Sequence, residues 1–229
     1  MRDRGGGKGL QTCALHGKEV FVNTQDAAAD LETIRVLMER SALYRRTLAP
    51  VCLAMGLLGA GAGVAHRWVA LESSTAFASW WLGTAAVAVA VAFGIARRQA
   101  MKDGEGFWSP PTRRVAASML PALAAGFLVS VPFLLGEDWA RRVVWLLPAL
   151  WMVLYGCALH AAGFFMTGGI RGLGWAYVAA GSGLLLWWTC PLNQFPPVAH
   201  AHLAMAVGFG VGHAGYGLGL GLAERSRKT

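Results

Sequence analysis

The sequence predicts an all-α, polytopic membrane helix bundle of about six transmembrane helices, preceded by an amphipathic cytoplasmic helix. Three observations predict it. Of the 229 residues, 55% are hydrophobic and only 14% charged, whereas soluble domains carry about a quarter charged residues. Six apolar stretches hold no Asp, Glu, Lys or Arg, and each is near the roughly 20 helical residues that a hydrocarbon core about 30 Å thick demands. Finally, 17 of the 20 Lys and Arg residues fall in the N-terminal region, the 97–114 loop, the 167–171 turn and the C-terminal tail.

Residues 1–25 are polar and Gly-rich, with GGGKG at positions 5–9. Such a segment buries too little apolar surface to order itself, so a disordered tail is expected. In 26–46, Leu31, Ile34, Leu37 and Met38 recur at helical spacing among Asp30, Glu32, Arg35, Glu39 and Arg40. That pattern predicts an amphipathic helix on the cytoplasmic membrane surface. The transmembrane domain then occupies 47–223, with spans expected at Leu48–Ala65, Thr75–Ala96, Val115–Leu135, Val143–Met166, Gly172–Thr189 and Pro197–Ala223. Residues 224–229 make a short basic tail.

Only Arg67, Arg141 and Arg142 lie on the side opposite the other basic residues. The positive-inside rule therefore puts both termini in the cytoplasm, as for a multi-pass protein of a bacterial inner membrane. The net charge of +8 is accounted for by residues bordering helices, where they meet anionic headgroups, so the partner expected is the lipid bilayer and not nucleic acid. Trp68, Trp80, Trp81, Trp139, Trp145, Trp187 and Trp188 gather near the outer ends, as an interfacial belt would. The four cysteines, Cys13, Cys52, Cys157 and Cys190, form no CxxC pair, and no disulfide is expected. A homo-oligomer is compatible with the sequence, which contains nothing that specifies one.

Apart from Cys and Tyr, the titratable groups expected near mid-membrane are His160 in the fourth span and His213 in the sixth. Both spans run inward, and the histidines lie about 26 Å and about 24 Å along them. Gly156, His160 and Gly163 share one face, so His160 is expected to point into the bundle. In the sixth span Gly208, Gly212, Gly215 and Gly219 form one small-residue face, Gly210, Gly217 and Gly221 a second, and His202, Phe209, His213 and Tyr216 a third. That helix is expected to be wedged between two others. Facing imidazoles would suit haem iron, a metal ion or a proton relay. The plainer reading is that each histidine bonds a carbonyl, Tyr155 or Tyr216 and fixes helix register, since two histidines do not close a metal shell and no CxxCH motif is present.

A looser set, His66, His200 and His202, lies near the outer surface with Cys190 at similar depth. As a metal site it is strained, because His200 and His202 are about 200° apart on a helix. Ordinary interfacial histidines are the alternative. Ser182 between Gly181 and Gly183, with His213, invites comparison with rhomboid intramembrane proteases. Their GxSG motif and the glycine three residues after the histidine are replaced here by Ala180 and Tyr216. Ion-driven transport usually needs a mid-membrane charge or a broken helix, and no such charge is present.

IRVLMERS at 34–41, PPTRR before the third span, LLPALWMVLYG at 146–156 and VGFGVGHAGYGLGLGL in the last span resemble a group of bacterial multi-pass membrane proteins without an assigned activity. That group is similar in an IRxxMERS helix, an LPGxWLLLYG stretch and a terminal GFGxxHxxFG helix. These correspond to Ile34–Ser41, Leu147–Gly156 and Gly208–Gly217, with Ala149 and Tyr216 as departures. The resemblance spans roughly 30–223 and implies a cytoplasmic N-terminus. Its members are often encoded beside a winged-helix transcriptional regulator, which implies a regulated membrane component. The expectation is a non-enzymatic membrane protein concerned with sensing, regulation or small-molecule passage, with a haem- or metal-binding redox protein as the alternative.

Overall fold

A computed structural model of the protein describes residues 12–15, 18–21, 47–69, 72–102, 104, 108–136, 138–166, 168–190 and 198–226. The chain divides into two units, Met1–Leu43 and Tyr44–Thr229. In the first, β1 (Thr12–Leu15) and β2 (Lys18–Phe21) pair antiparallel, with Thr12 opposite Phe21 and Leu15 opposite Lys18. This departs from the disordered tail expected for 1–25. Thr12, Cys13, Val20 and Phe21 suit strands, and the strands are separated in sequence by His16-Gly17, the length and glycine content of a hairpin connection. The expected amphipathic helix at 26–46 lies outside the described residues.

The second unit is helical: α1 (Thr47–Trp68), α2 (Ser74–Lys102), α3 (Pro110–Leu134), α4 (Asp138–Val143), α5 (Leu146–Ala162), α6 (Gly168–Thr189) and α7 (Val198–Ser226). Four helices, Thr47–Trp68, Ser74–Lys102, Thr112–Leu134 and Val198–Ser226, are long and apolar enough to cross a membrane. Their surfaces turn the soluble pattern inside out, with Leu57 72%, Leu120 65% and Leu222 64% exposed, which marks a bundle made for an apolar surround.

The fourth expected span, Val143–Met166, is shorter than predicted. The chain turns at Val144 and Trp145, and α5 restarts at Leu146 for 17 residues. Pro148, in the first turn of α5, suits the restart, because proline has no N–H to bond the carbonyl four residues back and the first turn leaves that N–H unpaired in any case. In α6, Gly168, Gly169, Gly172, Gly174, Gly181 and Gly183 dilute the apolar content along with Arg171 and Ser182, and this 22-residue helix is not among the four.

Small residues set the packing. Against α1, a Cβ added at Gly56 would collide with Ala214, one at Gly59 would lie 2.9 Å from the Gly210 nitrogen, and one at Gly63 would collide with Ala206. As α1 numbers rise the α7 partners fall, so the two helices cross antiparallel with backbones nearly touching. Between α5 and α6, Gly156 meets the Gly174 carbonyl and Val178, Gly163 meets Arg171, and Gly181 meets the Ala149 carbonyl. The Gly156–Gly163 face is thus the α6 contact surface, and α7 is wedged between its neighbours: Gly210 and Gly217 abut α1, while Gly208 meets Met152 and Gly212 the Tyr177 hydroxyl. Gly215, Gly219 and Gly221 touch nothing. The tryptophan belt is only partial. Trp68, Trp139 and Trp187 are exposed, but Trp81, Trp145 and Trp188 are buried, and the rings of Trp145 and Trp188 pack edge to face.

Candidate functional site

Three helices converge on His213, which is 2% exposed. Nδ1 lies 2.8 Å from the Phe209 carbonyl and 2.8 Å from the Tyr177 hydroxyl, and Nε2 lies 2.8 Å from the Tyr155 hydroxyl. A carbonyl only accepts, so the Phe209 contact places the ring proton on Nδ1 and leaves Nε2 an acceptor. Tyr155 therefore donates its O–H to Nε2. Tyr177 donates its own to the Gly208 carbonyl at 2.8 Å and takes the Nδ1 proton on its lone pair. Each donor in this buried set has an acceptor, as low dielectric surroundings require.

The backbone accommodates these bonds. Residues Ala206–Val211 form a π-helical turn between the α-helical parts of α7. Gly208 and Phe209, whose carbonyls receive Tyr177 and His213, lie inside it. Gly208, Gly210 and Gly212 weaken the regular helix there, and such turns are frequent at functional sites.

Beside this network is a cavity of about 490 Å³. Its wall is built from α1 (Met55, Gly59), α2 (Trp81 to Val89), α3 (Ala122, Gly126), α5 (Trp151, Leu154, Tyr155) and α7 (Met205, Phe209, His213). The deep wall is buried, whereas Val89, Leu123 and Phe127 on α2 and α3 are 58%, 40% and 53% exposed. The cavity thus opens sideways between α2 and α3, across the apolar outer surface of the bundle. Trp151 holds the α3 side in place by donating to the Gly126 carbonyl and to Ser130 Oγ, both at 3.1 Å.

No protein-family model, curated protein or solved structure matches this chain.

The structure does not bring His160 to His213. On α5, Tyr155 faces His213, and His160 is five residues on, about 140° around the axis. Its ring packs edge-on against Phe164 and Trp175, at 5.4 and 5.5 Å between centroids, and Nδ1 is buried without a hydrogen-bond partner. With both nitrogens of His213 held by protein groups, the pair expected to ligate haem or a metal is not assembled. The register-fixing reading fits His213, through the Phe209 carbonyl and Tyr155, but not Nδ1 of His160. The same bonds take His213 away from a Ser182 dyad.

The outer set splits. His66 and His202 stack with centroids 4.2 Å apart and planes 2° from parallel, while His200 is exposed. Trp81 Nε1 donates to His202 Nδ1 at 3.0 Å, His66 Nδ1 donates to the Gly63 carbonyl at 2.6 Å, and Phe77 meets His202 edge-on at 4.7 Å. The rings lie face to face, so their in-plane lone pairs do not converge on one ion. Among the described residues no group of three or more His, Cys, Asp or Glu is placed to hold a metal, and Cys52, Cys157 and Cys190 are free.

Sequence reasoning missed Tyr177, Trp81 and Trp151. A usable signal existed: of only four tyrosines, three fall in expected spans, and a hydroxyl placed there must find a partner.

Proposed function

We propose that this chain is a six-span protein of a bacterial cytoplasmic membrane, with both termini cytoplasmic, that binds a lipid-dissolved small molecule and performs no catalysis itself. The observation that carries this reading is the cavity of about 490 Å³ opening sideways between α2 and α3. A site entered through an apolar flank is reached from the bilayer, and its volume suits a small ligand. Sensing, regulation or passage of that molecule are all uses of such a site.

Six crossings are supported by the antiparallel pairing of α5 and α6. At 1.5 Å per residue they measure about 26 Å and about 33 Å, close to a hydrocarbon core of about 30 Å. The distribution of Lys and Arg supports the orientation. The likeness to the bacterial multi-pass group is part of the proposal, and two of its motif stretches meet at the site: Leu147–Gly156 contributes Trp151 and Tyr155, and Gly208–Gly217 contributes Phe209 and His213.

The test is organic extraction of the purified protein followed by mass spectrometry. A lipid-soluble compound retained in near-stoichiometric amount by the native chain, and lost from Ala122→Phe, which fills the cavity, supports the reading. Identical extracts from folded native and Ala122→Phe proteins overturn it.

A further inference from the structure

The polar atoms of the cavity wall have an unusual balance, and it defines the head of the molecule that fits. Trp81 Nε1–H donates to His202, and Trp151 Nε1–H to Gly126 and Ser130. Thr84 Oγ1–H donates to the Trp80 carbonyl at 2.8 Å. Tyr155 O–H donates to His213 Nε2, and His213 Nδ1–H is held by the Phe209 carbonyl and Tyr177. Every side-chain hydrogen of the wall capable of bonding is thus already committed to a protein acceptor.

What remains is lone pairs, on Tyr155 Oη and Thr84 Oγ1. A ligand that accepts hydrogen bonds, such as a ketone, an ester or a quinone carbonyl, would have to break one of these internal bonds, and at Tyr155 it would leave the buried His213 Nε2 without its donor. A ligand that donates keeps the network whole. An ammonium donor would carry an unpaired charge into an apolar enclosure, which is strongly unfavourable. A neutral hydroxyl has no such penalty.

Resting on the cavity reading above, we infer that the site selects a lipid-dissolved molecule with a hydroxyl head, an alcohol or phenol that donates to Tyr155 Oη while its apolar body lies among Trp81, Trp151, Phe127 and Phe209. One hydrogen bond in a dry site separates such a ligand from its methyl ether by about tenfold in affinity. The same proton on the ligand oxygen is the only atom the comparison changes in kind.

The experiment measures quenching of the wall tryptophans by four probes, each brominated on its alkyl chain, in detergent-purified protein: a long-chain alkyl phenol, its methyl ether, a long-chain alkanol and its methyl ether. The expected result is saturable binding of all four, with each hydroxyl compound about tenfold tighter than its ether and Tyr155→Phe reducing that ratio toward unity. A larger ratio in the phenol arm than in the alkanol arm assigns an aromatic head; equal ratios assign a hydroxyl on any body. Saturable binding with ethers equal to hydroxyls in the native protein overturns the donor inference and leaves the cavity reading standing. Absence of saturable binding by any probe overturns both. The native hydroxyl-to-ether comparison needs no variant, so it decides the proposal should Tyr155→Phe fold poorly.

Discussion

Tyr177 of α6 and His213 of α7 are joined at 2.8 Å by a hydrogen bond in which the imidazole Nδ1–H donates to the phenol oxygen, and the same phenol donates to the Gly208 carbonyl one turn earlier. One side chain thereby grips α7 at two points, Gly208 within the π-helical turn and His213 just beyond it. Tyr155 closes the set from α5, so three helices share one polar node.

The node predicts unequal costs for two similar changes. Tyr177→Phe removes two bonds and leaves the Gly208 carbonyl short of a partner, whereas Tyr155→Phe removes one. Thermal unfolding in detergent is expected to show a loss of about 1–3 kcal/mol for Tyr177→Phe and about 0.5–1.5 kcal/mol for Tyr155→Phe. The opposite ranking would mean that the bonds are not made as described.

Helix packing offers a second check. Gly59 and Gly210 sit where α1 and α7 nearly touch, so Gly59→Leu or Gly210→Val is expected to lower stability by more than about 2 kcal/mol through overpacking. Gly61 and Gly215 face open space, and alanine at either is expected to change the melting temperature little or to raise it.

The His66–His202 stack is expected to be structural. His202→Ala leaves Trp81 without its acceptor and opens a void against Phe77, a loss of about 2–4 kcal/mol, and it should shift Trp81 emission. His200→Ala is expected to be silent. Added zinc is expected to leave the melting temperature of the native protein unchanged; a rise that His66→Ala abolishes would restore the outer metal site.

Orientation is open to cysteine labelling with a membrane-impermeant reagent in intact cells, in a background with the native cysteines replaced. Cysteine at Trp139 or Trp187 is expected to react from outside, and cysteine at Trp108 or Ser226 only after the cells are broken. Reaction of all four from one side would contradict six crossings.

The apolar stretches were legible because membrane thickness imposes a length and because charges fall outside them: each expected span overlaps a helix, as Thr75–Ala96 lies within Ser74–Lys102. Local proline chemistry at Pro148 suits the place where α5 begins, a detail that hydropathy does not register. His213 was legible as a polar group that needs partners. Its partners were harder to read, since Tyr177 comes from another helix and the acceptors at Gly208 and Phe209 are backbone atoms within a π-helical turn. The expected meeting of His160 with His213 rested on equal depth alone. Depth fixes position along a helix axis but not rotation about it, and α5 turns Tyr155, not His160, toward α7.

The central claim is that a lipid-dissolved molecule occupies the cavity between α2 and α3. Its most direct test is quenching of tryptophan fluorescence by a brominated long-chain alcohol, compared between the native protein and Ala122→Phe. Saturable quenching in the native protein, converted to weak, linear quenching in the filled variant, is the result predicted. Linear and indistinguishable quenching in the two proteins would show that the probe only dissolves around the bundle, and would contradict the claim.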